Sequence, residues 1–333
     1  MNNNKSLSIC ILRLSSIGDI THILPIVETI KHTYPNSDIT WIIGKTEYQL
    51  VKNISHIKFL VVDKNQAIDS LVNMHKLCKK QEFDVVLHMQ KSLRSKFIGR
   101  LLNGRININY SDIENKNVHV LDHFFSFLEK ININEKIIKW NTDQLFNKSR
   151  PRIEKNLKNI ESYISINPFT SDRINNYREW DYMNYFEIAA YMKKKYSTNT
   201  IFIGKTCAKT KKYFDELLPN SKHIINYINN TTLLETLLIL KKSLFYIGPD
   251  SGTLHMANMF KIPIIGLYAT SNPKRTGPYN NLSFIVDKYK EALMKYNNKD
   301  IDKAKWGERI RDEKAMKLIK KSDVIKKIDT IMN

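Results

Sequence analysis

Cysteine is scarce in this sequence. Three occur in 333 residues, Cys10, Cys78 and Cys207, scattered and without the paired spacing of a metal site. Reduced, buried thiols are therefore expected, and zinc, disulfide and redox chemistry are not. Long apolar runs are also missing, since nothing approaches the roughly 18 consecutive apolar residues of a membrane span. The opening MNNNKSLSICILR lacks the charged-then-apolar order of a secretory signal, which points to a chain made and kept in the cytosol. Acidic residues are the third shortage: 33 Asp and Glu stand against 53 Lys and Arg, a formal charge of +20. A surface of that sign attracts polyanions such as nucleic acid, anionic lipid or a phosphorylated substrate. The lysine accompanies abundant asparagine and isoleucine, so the base composition of the genome explains the excess equally well. Apolar content is not short. With 42% hydrophobic and 26% charged residues the chain has material for a core in each of two ordinary domains, and disorder is not expected.

Segments rich in β-branched and aliphatic residues alternate with amphipathic stretches. Leu7 to Arg13, Ile39 to Ile43, Phe59 to Val62 and Phe83 to His88 read as strands, and the second half repeats the scheme at Tyr163 to Asn167, Thr200 to Ile203, Ile224 to Tyr227, Leu244 to Ile247 and Ile262 to Leu267. This is an α/β pattern, most economically parsed as two doubly wound, Rossmann-like parallel sheets facing a central cleft. Asn141 to Glu154, polar and carrying Pro151, reads as the linker, giving domains 1–150 and 151–313. Residues 314–333 follow, with Lys314 to Met332 a basic amphipathic helix that either docks on the second domain or lies on a membrane surface.

In doubly wound sheets ligands bind beyond the carboxyl ends of strands, and the chemistry-bearing residues cluster there. The first strand runs into SSIGDITHILP, where Gly18 permits a close turn and Asp19 opens a helix. Asp19 reads as a helix cap or as a general base reaching into the cleft, with His22 one turn on. In the second half LFYIG leads into PDSGTLHMANMF. Asp250, Ser251 and Gly252 stand at a helix start with His255 a turn later, a pattern suited to a diphosphate or to a capped helix with a buried histidine. SINPFTSDRINNYREW brings Thr170 and Ser171 as hydroxyl donors and Arg173 and Arg178 as cations. ATSNPKRTGPY adds Thr270, Ser271, Asn272, Lys274 and Arg275 on the same rim.

Taken in order, SSIGDITHILP, FDVVLHMQKSLRSKFIGRLL, the REW segment, GPDSGTLHMA and GLYATSNPKRTGPY resemble glycosyltransferase family 9, the heptosyltransferases of lipopolysaccharide core assembly, over nearly the whole chain. The resemblance implies a GT-B fold, an acceptor site mainly in the first domain, a nucleotide-sugar site mainly in the second, and inverting transfer with neither metal nor cofactor. By it, Asp19 is the general base. Thr170, Ser171, Arg178, Asp250, Ser251, Gly252 and His255 serve the donor and its phosphates, and Ser16, Gly18, His22, Lys91 and Arg94 serve the acceptor. Arg178 stands where the family commonly has lysine, which keeps the charge and changes the contact geometry. Lys91, Arg94, Lys96 and Arg100 either meet acceptor carboxylates and phosphates or form the exposed face of a helix. The early block is closer to the enzymes that add the first heptose, which favours ADP-heptose as donor and Kdo-linked lipid A as acceptor, with peripheral contact to anionic inner-membrane lipid. Rival readings are another donor or acceptor within the family, a nucleic-acid-binding protein, and a non-catalytic glycan-binding relative. No recognisable nucleic-acid module supports the second, and the joint presence of Asp19, Asp250 and His255 opposes the third.

Overall fold

The structure, a computed structural model, describes residues 6–63, 82–114, 116–146, 152–171 and 176–333. Cys78, Pro151 and Arg173 lie outside the described residues. The chain divides into two compact units, Met1–Ser149 and Arg150–Asn333.

Unit 1 carries a parallel sheet of β1 (Ser8–Leu12), β2 (Asp38–Gly44), β3 (Ile57–Val62), β4 (Glu82–His88) and β5 (Asn103–Asn109), in the order β3-β2-β1-β4-β5. The central strands are buried and read as near-continuous apolar runs because both faces are covered. Strand β5 is the edge and was not expected from the sequence. Its RININ stretch is polar and mostly exposed, with Ile108 the one buried position, so it carries no apolar run to read.

Helices α1 (Ile17–Thr33), α2 (Lys45–Val51), α3 (Leu93–Gly99) and α4 (Val120–Glu129) cover this sheet. In α1, Pro25 has no N–H to give the carbonyl of Thr21, and the Trp140 indole N–H donates to that oxygen instead at 3.0 Å. The segment expected as a linker from Asn141 begins as part of unit 1. Thr142–Phe146 forms a tight turn whose Leu145 is buried and whose Leu145 carbonyl accepts from Asn53 Nδ2 at 2.6 Å, so its apolar residues outweigh its polar composition.

Unit 2 carries β6 (Tyr163–Ile166), β7 (Asn199–Phe202), β8 (Ile224–Asn226), β9 (Tyr246–Pro249), β10 (Ile264–Tyr268) and β11 (Val286–Asp287), all parallel, in the order β11-β10-β9-β6-β7-β8. Its helices are α5 (Glu154–Lys158), α6 (Tyr182–Tyr196), α7 (Ala208–Leu217), α8 (Leu233–Lys242), α9 (Gly252–Asn258), α10 (Pro273–Thr276), α11 (Tyr289–Asn297) and α12 (Lys321–Met332). Phe169, Phe186, Phe202 and Phe214 meet edge to face in the core, with centroids 5.1 to 5.7 Å apart. The helix expected from Lys314 is shorter: a 3-10 turn, Ala315–Leu318, precedes α12. Between them the Ile319 carbonyl accepts from the Trp180 indole at 3.0 Å, and Val324 and Ile328 of α12 are fully buried in the unit 2 core. This helix is therefore docked by its apolar face.

Both sheets reverse their winding beside a central strand. The reversal falls between β1 and β4 in unit 1 and between β6 and β9 in unit 2. In sheets wound this way the loops leaving such a pair diverge to opposite sides, and the carboxyl end beside the reversal is where a ligand crevice forms.

Candidate functional site

At the unit 1 reversal, β1 continues through Arg13 and Leu14 into Ser16, which precedes α1. Asp19 is the third residue of that helix and not its cap. Ser16 holds the cap position, and its backbone N–H and hydroxyl donate to Asp19 Oδ2 at 3.0 and 2.9 Å. The third contact to Oδ2 is the Arg13 guanidinium at 2.5 Å. Arg13 is itself buried, donates to the Met89 carbonyl at 2.5 Å, and lies over the Phe124 ring. Gln90 completes the link between the loops by accepting from the Leu14 N–H at 2.7 Å. Both Ser16 hydrogen bonds and the 2.5 Å approach of Arg13 thus fall on Oδ2, and Oδ1 accepts no hydrogen bond among the described residues. Burial works to raise the pKa of Asp19, but the Arg13 charge and the Ser16 hydrogen bonds outweigh it and hold the carboxyl below the usual carboxylate range.

The other unit 1 residues sort differently. Gly18 lies inside the first turn of α1 and makes no loop turn; among the described glycines only Gly204 has a positive φ. His22 is buried with its ring edge-on to His119 at 5.5 Å, an interior packing position. Lys91 sits over the Tyr110 ring at 4.6 Å, and Arg94 is exposed on α3.

At the unit 2 reversal the loops after β6 and β9 are tied together. Asn167 Nδ2 donates to Thr253 Oγ1 at 3.0 Å and reaches Ser251 Oγ at 3.5 Å. Gly204, at φ +123°, and Gly248 leave the room this needs, since a Cβ at either would collide with Asn167. Arg178 is the cross-brace: Nη1 donates to the Asp250 carbonyl at 2.9 Å, Nη2 to Ser171 Oγ at 3.3 Å and Nε to Asn176 Oδ1 at 3.1 Å. Asp250 is buried and receives the hydroxyls of Ser271 and Thr276 on Oδ2 at 2.8 and 3.3 Å, with His255 Nε2 3.9 Å from Oδ1. The Thr170 hydroxyl donates to Glu179 at 3.2 Å, so its proton is spent internally, while Ser171 remains exposed. Ser251 precedes α9 without a side-chain cap, and Gly252 is the first residue of that helix.

The structure therefore gathers Arg178, Ser171, Asp250, Ser251 and His255 as expected from the sequence, and adds Asn167, Asn176, Glu179 and Thr276. In unit 1 it adds Arg13 and Gln90. Of the loop 269–279, read as a charged rim, Thr270, Ser271 and Asn272 are buried, the last capping α10 by accepting from the Lys274 N–H at 3.0 Å, while the side chain of Lys274 is exposed and that of Arg275 partly so. Among the described residues no three of His, Cys, Asp and Glu stand together as a metal-binding group.

Two doubly wound parallel sheets, each with a polar cluster at its winding reversal, have the architecture of GT-B transferases. Residues 72–305 match the model of glycosyltransferase family 9 (heptosyltransferase). The chain is 30% identical to the lipopolysaccharide core heptosyltransferase OpsX of Haemophilus influenzae, over 96% of this chain and 95% of that protein. Among solved structures, the family 9 glycosyltransferase of Veillonella parvula superposes with a TM-score of 0.75 at 19% identity, covering 100% of this chain and 98% of the other. Heptosyltransferase WaaC of E. coli with ADP gives 0.73 at 13% identity, covering 98% and 100%. The chain belongs to glycosyltransferase family 9. It is a transferase enzyme, and the nucleic-acid reading of its charge gives way to that assignment.

Proposed function

We propose that this enzyme transfers heptose from ADP-heptose to the Kdo-linked lipid A inner core of lipopolysaccharide, with inversion and without a metal ion. Family membership and the likeness to a relative named as a lipopolysaccharide core heptosyltransferase support the substrate class. The observation that carries the mechanism is the one-sided carboxylate of Asp19. Arg13 and Ser16 occupy Oδ2 and keep the group ionised, which leaves Oδ1 to take a proton from an acceptor hydroxyl. As that oxygen bonds to the anomeric carbon, the bond to the departing diphosphate breaks on the opposite side and the electron pair leaves with the phosphate oxygen. Arg178, held by its hydrogen bonds to Asp250, Ser171 and Asn176, and the exposed Ser171 hydroxyl supply the positive and donor groups for that charge. Asp250 braces Arg178 and, in this reading, touches the donor sugar or ribose.

The test is turnover of purified protein with ADP-heptose and Kdo-lipid A, with other nucleotide sugars as controls. Asp19→Asn, nearly isosteric, is expected to lower kcat by roughly 10²- to 10⁴-fold, and, because it also takes the counter-charge from the buried Arg13, to melt lower than the wild type, so turnover is compared well below the melting temperature of the variant. Turnover only with another nucleotide sugar would overturn the donor assignment, and full activity in Asp19→Asn would overturn the base.

A further inference from the structure

Helix α3 presents an exposed outward face, whose cations the sequence left either to the acceptor or to solvent. Ser95 and Ile98 point inward. The Ser95 hydroxyl is held by the carbonyls of Ser92 and Gln90 at 2.7 and 3.1 Å, and Gly99 lets the helix approach His88, whose Nδ1 would stand 3.0 Å from a Cβ there. Leu93 and Phe97 point outward and are 75% and 59% exposed, the two most exposed large apolar side chains among the described residues. Four residues apart, they form one ridge. At about 100° per residue, Lys96 and Arg100 flank that ridge on one side and Arg94 on the other. Arg100 also lies 5.8 Å from the Phe97 ring. From residue 85 to residue 111 the sequence has no Asp or Glu, and Lys91, Arg94, Lys96 and Arg100 make no ion pair among the described residues.

We propose that α3 docks the protein on an anionic bilayer: Leu93 and Phe97 enter the acyl region while Arg94, Lys96 and Arg100 bind lipid phosphates. Charge complementarity selects this occupant. A polyanion such as nucleic acid would use the cations but leaves the exposed leucine and phenylalanine without a partner. A bilayer surface offers phosphates around an apolar interior, in the same arrangement as the helix face. A ridge of two side chains gives weak, reversible binding that depends on salt through its charged half.

Co-sedimentation of the full chain with vesicles tests this, comparing mixed phosphatidylglycerol and phosphatidylcholine with phosphatidylcholine alone, and with no glycolipid acceptor present. Wild type is expected to pellet with the anionic vesicles only. The variant Arg94→Gln/Lys96→Gln/Arg100→Gln should lose about tenfold or more in partitioning and most of the salt dependence. Leu93→Ser/Phe97→Ser should lose about tenfold and keep the salt dependence of what remains. In a separate arm Phe97→Trp should gain fluorescence that brominated acyl chains quench. Absence of vesicle binding by the wild type, wild-type binding in either multiple variant, or added fluorescence in Phe97→Trp that brominated chains leave unquenched overturns the proposal. So does binding that survives Leu93→Ser/Phe97→Ser undiminished and is matched by duplex DNA, which would make the face a general polyanion site.

Discussion

Arg13 decides how Asp19 behaves. A carboxylate partly withdrawn from water would ordinarily hold its proton more tightly, and the guanidinium at 2.5 Å reverses that tendency. Replacing it by methionine removes the charge and keeps the burial. The acid limb of the kcat/KM profile of Arg13→Met is therefore expected at higher pH than in the wild type, with Arg13→Lys between them; a limb that stays in place would mean that Arg13 only packs. The same coupling has a stability sign. Because the folded-state pKa of Asp19 is depressed, its contribution is present above the unfolded pKa and lost as pH falls through the folded one. Denaturation midpoints measured through the carboxylate range should show that acid-side loss in the wild type and much less of it in Arg13→Met. The residues around Asp19 left it between a helix cap and a base, and only the family resemblance singled it out as a base, whereas Arg13 drew no notice, because a cation at the end of ICILRL reads as the polar edge of a strand. Thr170 shows the converse failure. A hydroxyl after a strand suggests a phosphate ligand, and nothing local reveals that Glu179, nine residues on, has claimed its proton.

The elements were legible where they are buried on both sides and obscure where they are not. The central strands announce themselves as apolar runs, while β5 and the two-residue β11 lie at sheet edges and carry mostly polar or short sequence. The winding reversals explain why the motif blocks fall where they do. SSIGDITHILP and the Met89–Ser92 loop follow neighbouring strands of one sheet, and the loops holding Asn167 and Asp250 follow neighbouring strands of the other. Periodicity alone could not decide whether the last helix docks or faces a membrane, and Val324 and Ile328 decide it by being fully buried. Ile328→Ala should consequently cost about 2–5 kcal/mol of unit 2 stability, read from its denaturant midpoint, and a change within about 0.5 kcal/mol would show that the helix is peripheral to that core.

The charge of +20 is a property of the whole molecule and said least about function. Its physical effect is self-repulsion within a compact body, which salt screens as the Debye length falls from about 10 Å at 0.1 M toward about 3 Å at 1 M. Added sodium chloride is expected to raise the melting temperature at pH 7, and a fall across that range would show that ion pairs such as those of Lys195 with Asp329 and Lys299 with Glu308 dominate instead. The division into two units, each built from a contiguous stretch, bears on how the protein is made. Everything the first sheet needs has been synthesised once the ribosome passes Ser149. The second sheet takes its last core side chains from Val324 and Ile328 and has Trp180 bonded to the carbonyl of Ile319. At roughly 5–20 residues per second the nascent second unit therefore waits on the order of 10 s or more with Trp180 and its phenylalanine cluster incompletely covered, and that interval is when a chaperone has most to bind.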